Sequence, residues 1–86
     1  MFASAQNKVI GTISDNQNKP LSRVTISIPE VHKETISDEN GNYNLSNLPS
    51  GKFKIVFSFV GFATQSQDVI INQKETTISV QLAEDF

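Results

Sequence analysis

Apolar and polar residues alternate at every second position along nearly the whole chain. Successive side chains of a β-strand point to opposite faces, so this period predicts strands with one face buried and one face in water. No window of about eleven or more residues keeps the i, i+3, i+4, i+7 spacing of an amphipathic helix. The pattern therefore predicts an all-β protein.

Seven strands are expected, with turn signals between them at intervals of about 8 to 12 residues. They are predicted at residues 8–14, 22–28 and 34–37, around Tyr43 and Leu45, at 53–59, at 67–72 and at 76–82. Their inward-facing residues are predicted to be Val9, Gly11, Ile13, Val24, Ile26, Ile28, Ile36, Tyr43, Leu45, Phe53, Ile55, Phe57, Phe59, Val69, Ile71, Ile78, Val80 and Leu82. This arrangement is typical of a seven-stranded Greek-key β-sandwich.

The turn residues lie where their backbone chemistry is needed. In the tetrad from Asp38 to Gly41, the Asp side chain can accept bonds from amides two residues on, and Asn40 tolerates left-handed dihedrals. Gly41 adopts a positive φ without a Cβ clash. Three phenylalanines of one strand, with Phe57 among them, are expected to form the centre of the core, each burying about 150 to 250 Å². An aromatic ring is expected to pack over Gly11.

Length and composition narrow the classes of protein. At 86 residues the chain forms one domain, and without cysteine it has neither a disulfide nor a thiolate metal site. Seven basic and nine acidic residues give a net charge of -2 without charge blocks, which excludes a nucleic-acid surface. Since no apolar run approaches the ~20 residues of a spanning helix, we expect no membrane insertion by this segment.

The candidate chemistry is sparse. His32 is the only histidine, so a multi-histidine metal site or a catalytic triad with a spare histidine is ruled out. The run from Asp38 to Gly41 begins like a calcium loop, but the glycine and the bidentate Glu of an EF-hand are missing from their places. A turn held by Asp and Asn side chains is the preferred interpretation. The adjacent acids Asp38 and Glu39 point apart and are expected to be solubilising charges.

The ends of the chain differ from the body. Residues 1–7 are predicted to be a disordered N-terminus, and Ala3-Ser4-Ala5 within them matches the end of a signal peptide. The sandwich itself is expected to cover residues 8–82. Residues 83–86 lose the alternation and are expected to lead into a following domain.

The order of several short motifs resembles the carboxypeptidase regulatory-like domain. These motifs are Val9-x-Gly11-x-Ile13-x-Asp15, Lys19-Pro20-Leu21-x-x-Val24-x-Ile26, Thr35-x-Ser37-Asp38-x-Asn40-Gly41-x-Tyr43-x-Leu45, Leu48-Pro49-x-Gly51-x-Phe53-x-Ile55 and Phe57-Ser58-Phe59-Val60-Gly61-Phe62. The resemblance covers residues 9–82 and implies a transthyretin-like (prealbumin-like) fold. The variant ending in Val60-Gly61-Phe62 is most similar to the copies that precede the plug of SusC-like TonB-dependent transporters in Bacteroidetes-type bacteria.

That resemblance implies an exported, periplasmic module without catalytic activity, fused to an outer-membrane transporter that imports glycans or other nutrients. Its expected partner is an envelope protein or the plug and barrel of the parent transporter, and no cofactor or metal is expected. Partner contacts are predicted at Phe62 and at Asp38, Asn40 and Asn42. For Phe62 the preferred interpretation is an aromatic cap on the end of the sandwich, and the partner contact is the alternative.

Two alternatives remain. The domain could be a structural spacer or stalk of an exported enzyme or of a carbohydrate-binding surface protein, in which no surface residue matters individually. Carbohydrate stacking on the phenylalanine face is a weaker hypothesis, because a face shared with Ile55 is more often core. An enzyme is the least favoured class, because one histidine and no cysteine do not supply an acid, a base and a nucleophile.

Overall fold

The computed structural model describes residues 7–85, and these form two β-sheets packed face to face. The strands are β1 (Asn7–Asp15), β2 (Thr25–Ile28), β3 (Lys33–Ile36), β4 (Asn42–Leu48), β5 (Gly51–Ser58), β6 (Gln65–Ile71), β7 (Glu75–Thr77) and β8 (Val80–Leu82). A single 3-10 turn, Pro29–Val31, follows β2. The predicted all-β sandwich fold is confirmed.

The first sheet has the order β4-β1-β7, and β8 continues along β1 beyond the end of β7. Here β4 runs antiparallel to β1, whereas β7 and β8 both run parallel to it. The second sheet has the order β3-β2-β5-β6 with antiparallel pairs throughout. Consecutive strands therefore change sheet four times, between β1 and β2, β3 and β4, β4 and β5, and β6 and β7, in keeping with Greek-key connections.

The core lies between the sheets and is formed mainly by alternate residues predicted from the sequence, with Leu48 as a buried residue that was not predicted. The buried side chains are Val9, Ile13, Val24, Ile26, Ile28, Tyr43, Leu45, Leu48, Ile55, Phe57, Val69, Ile71 and Leu82. The Tyr43 and Phe57 rings meet edge to face across the two sheets, with centroids 5.9 Å apart and planes at 73°. Phe57 is fully buried, but Phe53 and Phe59 are only half-buried at the margins of the core. The predicted three-phenylalanine centre is thus a single phenylalanine.

The prediction for Ile36 was wrong. Its side chain is 58% exposed, and the next residue, Ser37, is buried instead. The Ser37 hydroxyl accepts a hydrogen bond from the Val24 amide and donates one to the Leu21 carbonyl. Because these bonds hold the polar Ser37 side chain inside the sandwich, the preceding residue faces outward. Arg23, at φ 67°, also interrupts the strand predicted from residue 22, so β2 begins at Thr25.

The predicted last strand is divided into β7 and β8 at Ile78 and Ser79. The Ile78 amide donates a hydrogen bond to the Ile10 carbonyl. In a regular parallel ladder, the Ile78 carbonyl would then accept a hydrogen bond from the Thr12 amide. Instead the Ile78 carbonyl accepts a 2.6 Å bond from the buried Tyr43 hydroxyl. The Thr12 amide donates to the Ser79 hydroxyl at 3.1 Å. A side-chain acceptor thus replaces a backbone acceptor, and the strand bends at that point.

Gly11 makes this bend possible. A Cβ at Gly11 would lie 1.8 Å from the Ile78 carbonyl oxygen and 3.0 Å from the Tyr43 ring. The expected aromatic neighbour of Gly11 is therefore Tyr43, and the Ile78 backbone approaches even more closely. Only a residue without a side chain fits there.

The chain ends are only partly described. The signal-peptide motif at residues 3–5 and most of the predicted disordered segment fall outside the described residues, while Asn7 begins β1 opposite Leu48. At the other end, Ala83 and Asp85 exchange backbone hydrogen bonds with Ala63 and Gly61. Within residues 7–85 there is no helix long and apolar enough to cross a membrane.

Candidate functional site

The turn from Asp38 to Asn42 connects β3 with β4, and the Asp38 side chain and backbone hydrogen bonds hold it. One Asp38 carboxylate oxygen accepts hydrogen bonds from the amides of Asn40 and Asn42, both at 2.9 Å. The Asp38 amide donates to the Asn42 carbonyl and the Gly41 amide donates to the Asp38 carbonyl. The sequence predicts a turn held by Asp and Asn side chains; the Asp38 carboxylate does bind the turn amides, whereas the Asn42 side chain bonds to Thr12 of β1.

Gly41 fixes this turn against the body of the sandwich. It has φ 79°, and its carbonyl accepts a 2.8 Å hydrogen bond from the Ile13 amide. A Cβ at this position would lie 2.4 Å from the Ile13 carbonyl oxygen. The turn is therefore seated on β1, and Asn42 is held at the start of β4.

A shallow groove of about 550 Å³ lies beside this turn, on the outer face of the first sheet. The Asn42 side chain faces it and accepts a 3.0 Å hydrogen bond from the Thr12 hydroxyl. The exposed Ile36 side chain is among the residues around it. The lining residues are Ile10, Gly11, Thr12, Thr35, Ile36, Asp38, Asn42, Tyr43, Asn44, Thr77 and Ser79.

The chemistry of this groove suits binding and not bond cleavage. Its polar groups are hydroxyls and amides, and its single carboxylate, Asp38, is already bonded to two turn amides. Among the described residues that line the groove there is no lysine, arginine or histidine. Neutral donors and acceptors next to an aliphatic rim can pair with a backbone amide or a hydroxyl of a ligand. They do not form an acid, base and nucleophile set.

Phe62 lies in a different place, in the bend between β5 and β6. The Phe62 amide donates to the Phe59 carbonyl, and Gly61 has φ 86°, the value that the third residue of a type II turn requires. The Phe62 ring stacks on Phe59, with centroids 5.6 Å apart and planes at 29°. It is half-buried against the core and forms a β-bridge with Glu84. This packing agrees with the aromatic cap, the preferred interpretation of Phe62 from the sequence.

The four predicted contact residues therefore belong to two regions. Asp38, Asn40 and Asn42 lie where β3 of one sheet meets β4 of the other. Phe62 lies at the opposite lateral edge, where β6 begins and the Gln65 side chain bonds to the Gln81 carbonyl of β8. A partner that touched both regions would have to reach across the sandwich.

Sequence reasoning missed three exposed aliphatic side chains. Val60 is 87% exposed at the tip of the bend before Phe62, Ile70 is 61% exposed on β6, and Ile36 is exposed beside the groove. Ile70 could have been found from the alternation, because it falls on the outward parity of β6, and Val60 could have been found because it follows the inward-facing Phe59 directly. Ile36 gave no such signal, since its exposure depends on the buried Ser37 hydroxyl.

The structure places His32 on the surface. It has a left-handed conformation at φ 55° after the 3-10 turn, and its amide donates to the Pro29 carbonyl. In the described part of the chain, no group of three or more His, Cys, Asp or Glu side chains could hold a metal ion.

Residues 9–86 match the family model of the CarboxypepD_reg-like domain. The chain belongs to this family. The CarboxypepD_reg-like domain is a non-catalytic β-sandwich, and the motifs that carried the resemblance form its turns and core here.

Two relatives place the CarboxypepD_reg-like domain within much larger proteins. A TonB-dependent receptor from Formosa agariphila is 31% identical over 62 residues, which cover 72% of this chain and 6% of the receptor. A bone sialoprotein-binding protein from Staphylococcus aureus is 38% identical over 56 residues, which cover 60% of this chain and 5% of that protein. The chain thus corresponds to about one twentieth of either relative.

The fold recurs in solved structures at low identity. A chain of the type II cohesin-X-dockerin complex from Acetivibrio cellulolyticus superposes with a TM-score of 0.73 at 16% identity. The match covers 85% of this chain and 51% of the other. At that identity the likeness concerns the fold alone.

Proposed function

We propose that this domain is a non-catalytic periplasmic docking domain of a TonB-dependent outer-membrane transporter for nutrients such as glycans. The observation that carries the proposal is the match to the Formosa agariphila receptor, in which the matched segment is a small part of a much longer chain. The membership in the CarboxypepD_reg-like family is in keeping with an accessory role. The partner in this proposal is the plug and barrel of the parent transporter or another protein of the envelope.

The geometry supports docking through surface complementarity. The groove beside the turn is lined by neutral hydroxyls and amides, and aliphatic side chains are exposed at separate points of the surface. Such surfaces bind extended or flat protein segments through hydrogen bonds and small apolar contacts. Asp38, Asn40 and Asn42 are proposed as one contact region, and Phe62 with the neighbouring Val60 as a second.

Deleting the domain from the full-length transporter tests this proposal. We expect nutrient uptake to fall while the amount of transporter in the outer membrane stays unchanged, because the lost step is recruitment and not insertion. Unchanged uptake at unchanged membrane level would contradict the proposal. A Phe62→Ala variant, compared with the parent chain, then tests whether the aromatic cap takes part in envelope contacts recovered by cross-linking.

A spacer role in a surface protein is the second candidate, and the Staphylococcus aureus relative favours it. A spacer needs only a folded body of fixed length. In that case point substitutions at the turn or at Phe62 leave binding by the parent protein unchanged, and only changes in domain length or stability matter.

A further inference from the structure

β6 is the one edge strand that is both long and uninterrupted in the described part of the chain. It has seven residues, pairs with β5 in a continuous register over its whole length, and forms no other ladder within residues 7–85. The other sheet edges are less open. β3 has only four residues, and the edge formed by β7 and β8 is interrupted between these two short strands. The pairing of β4 with β1 has a register shift, and the backbone of Asn42 at the start of β4 is already hydrogen-bonded to Asp38.

Hydrogen bonding shows which backbone groups of β6 are free. The Lys54 amide of β5 donates at 2.8 Å to the carboxylate of Glu30, which follows β2, so this amide points away from β6. Lys54 lies opposite Asp68, and this must therefore be a pair without mutual hydrogen bonds. The Asp68 N–H and C=O consequently point to the open edge. By alternation, those of Ser66 and Ile70 point there as well.

The side chains of this edge offer little protection against a further strand. Folded proteins usually guard an open edge with lysine, proline or a bulge, and β6 has none of these. Ser66 and Asp68 are exposed, and Ile70 is 61% exposed. The ion pair between Asp68 and Lys54 is long, at 3.9 Å, and its side chains are 67% and 60% exposed. The Asp68 carboxylate therefore remains available to another cation.

We propose that β6 binds an extended segment of another protein as an added antiparallel strand, with a basic residue opposite Asp68 and an aliphatic residue opposite Ile70. The backbone groups of Ser66, Asp68 and Ile70 supply the hydrogen bonds, and the two side-chain pairs supply the register. This rests on the proposed docking function and names the surface that performs it. The segment that β6 binds in this proposal therefore has a basic residue two positions after an aliphatic one, within a run of β-forming residues.

A second copy of this chain fits the edge less well. Antiparallel self-pairing centred on β6 places Asp68 directly opposite Asp68 of the other copy, and like charges in that position are destabilising. Charge complementarity thus favours a different chain, and a concentration-dependent dimer through β6 is the result that would contradict this choice.

A peptide titration tests the proposal with the full 86-residue chain. The probe is a nine-residue capped peptide that alternates threonine and valine, with lysine at its centre and isoleucine two residues before the lysine. We expect chemical-shift changes centred on β6 and slowing of amide exchange at Ser66, Asp68 and Ile70 by about tenfold or more at saturation. Changes confined to β3 and β4, or none at all, would overturn the proposal.

Ser66→Pro and Ser66→Ala form the matched pair of variants. Proline removes an edge N–H that makes no bond to β5, so the fold should be retained while peptide binding falls at least about tenfold. Alanine keeps the N–H and should bind like the parent chain. Equal binding by both variants would count against strand addition.

Charge exchange supplies an independent test if Ser66→Pro disturbs the fold. Asp68→Lys should weaken binding of the lysine peptide and strengthen binding of the same peptide with glutamate at its centre. An unchanged preference would show that Asp68 does not select the partner. These outcomes concern β6 alone, whereas loss or retention of uptake on domain deletion concerns the proposed function.

Discussion

At the scale of single residues, the contact among Gly11, Tyr43 and Ile78 determines how the last strands run along β1. Because Gly11 has no side chain, the Ile78 carbonyl can approach it closely, and the Tyr43 hydroxyl donates a hydrogen bond to that carbonyl. Burial raises the pKa of Tyr43 above its ordinary value of 10.0. The motif residues Gly11 and Tyr43 are therefore explained by one structural requirement, a backbone carbonyl turned inward.

Tyr43→Phe is expected to lower the free energy of unfolding by about 1 to 3 kcal/mol, because the Ile78 carbonyl loses its partner. The raised pKa means that the neutral phenol is favoured in the folded state. Its contribution is complete below about pH 10 and is lost as the pH rises through the folded pKa.

Denaturant unfolding at neutral and alkaline pH measures both effects. Because Tyr43 is the only tyrosine, phenolate absorbance reports this residue alone. Ionisation of the folded chain at the ordinary tyrosine pKa would contradict this account, as would equal stability of Tyr43→Phe and the parent chain.

Thr76→Val is expected to stabilise the fold by about 1 kcal/mol or more. The Thr76 hydroxyl is buried and has no hydrogen-bond partner among residues 7–85, and an unpaired buried hydroxyl costs about 1 to 3 kcal/mol. Valine has nearly the same shape and removes this cost. Thr77→Val, at an exposed neighbouring position of β7, is the control and should change stability little. A loss of stability in Thr76→Val would show that the hydroxyl has a partner in solution.

At the scale of secondary structure, polar side chains organise the loops that join the strands. One Asp15 carboxylate oxygen accepts hydrogen bonds from the amides of Gln17 and Lys19 at 2.8 and 3.0 Å. Asp38 does the same for the amides of Asn40 and Asn42. Both strand connections thus use an aspartate that replaces backbone acceptors.

The Asp15 loop predicts a dependence on acid pH. The hydrogen bonds from the Lys19 and Gln17 amides hold the pKa of Asp15 below its ordinary value of 3.8. A lowered folded pKa means that the stabilisation is present above about pH 4 and is lost as the pH falls below that value.

Thermal unfolding from about pH 6 down to pH 2 should therefore show a smaller acid-induced loss in Asp15→Asn than in the parent chain. Asp68→Asn, at an exposed site on β6, is the control. If the parent and Asp15→Asn lost stability in parallel, the Asp15 carboxylate would not contribute to the acid response.

The sequence predicted the strands well where alternation alone determines them, as in β1, β4, β5 and β6. The prediction failed where a side chain takes the place of a backbone group in hydrogen bonding. The buried Ser37 hydroxyl turns Ile36 outward, and the Tyr43 hydroxyl divides the last strand at Ile78. Neither event changes the composition or the period of the sequence. The proposed contact residues Asp38 and Asn42 were chosen from turn chemistry, whereas the groove beside them requires the three-dimensional neighbours Thr12, Thr77 and Ser79.

At the scale of the whole molecule, the two surfaces that we propose for contact with other proteins lie at different edges of the sandwich. One is the neutral groove with its turn, at the edge where β3 meets β4. The other is the open β6 edge, on the far side of the second sheet from β3. The molecule thus has opposite lateral edges that could bind different segments at the same time. A spacer would have no need of either surface.

The central claim, that the domain acts through its surface and not its length, is tested most directly by exchange of the domain in the full-length transporter. The substitute is an unrelated β-sandwich of equal length, and the measurement is nutrient uptake at equal transporter level in the outer membrane. The docking account predicts that uptake stays as low as in the deletion. Full restoration of uptake by the unrelated sandwich would contradict it and would leave a spacer as the function of this domain.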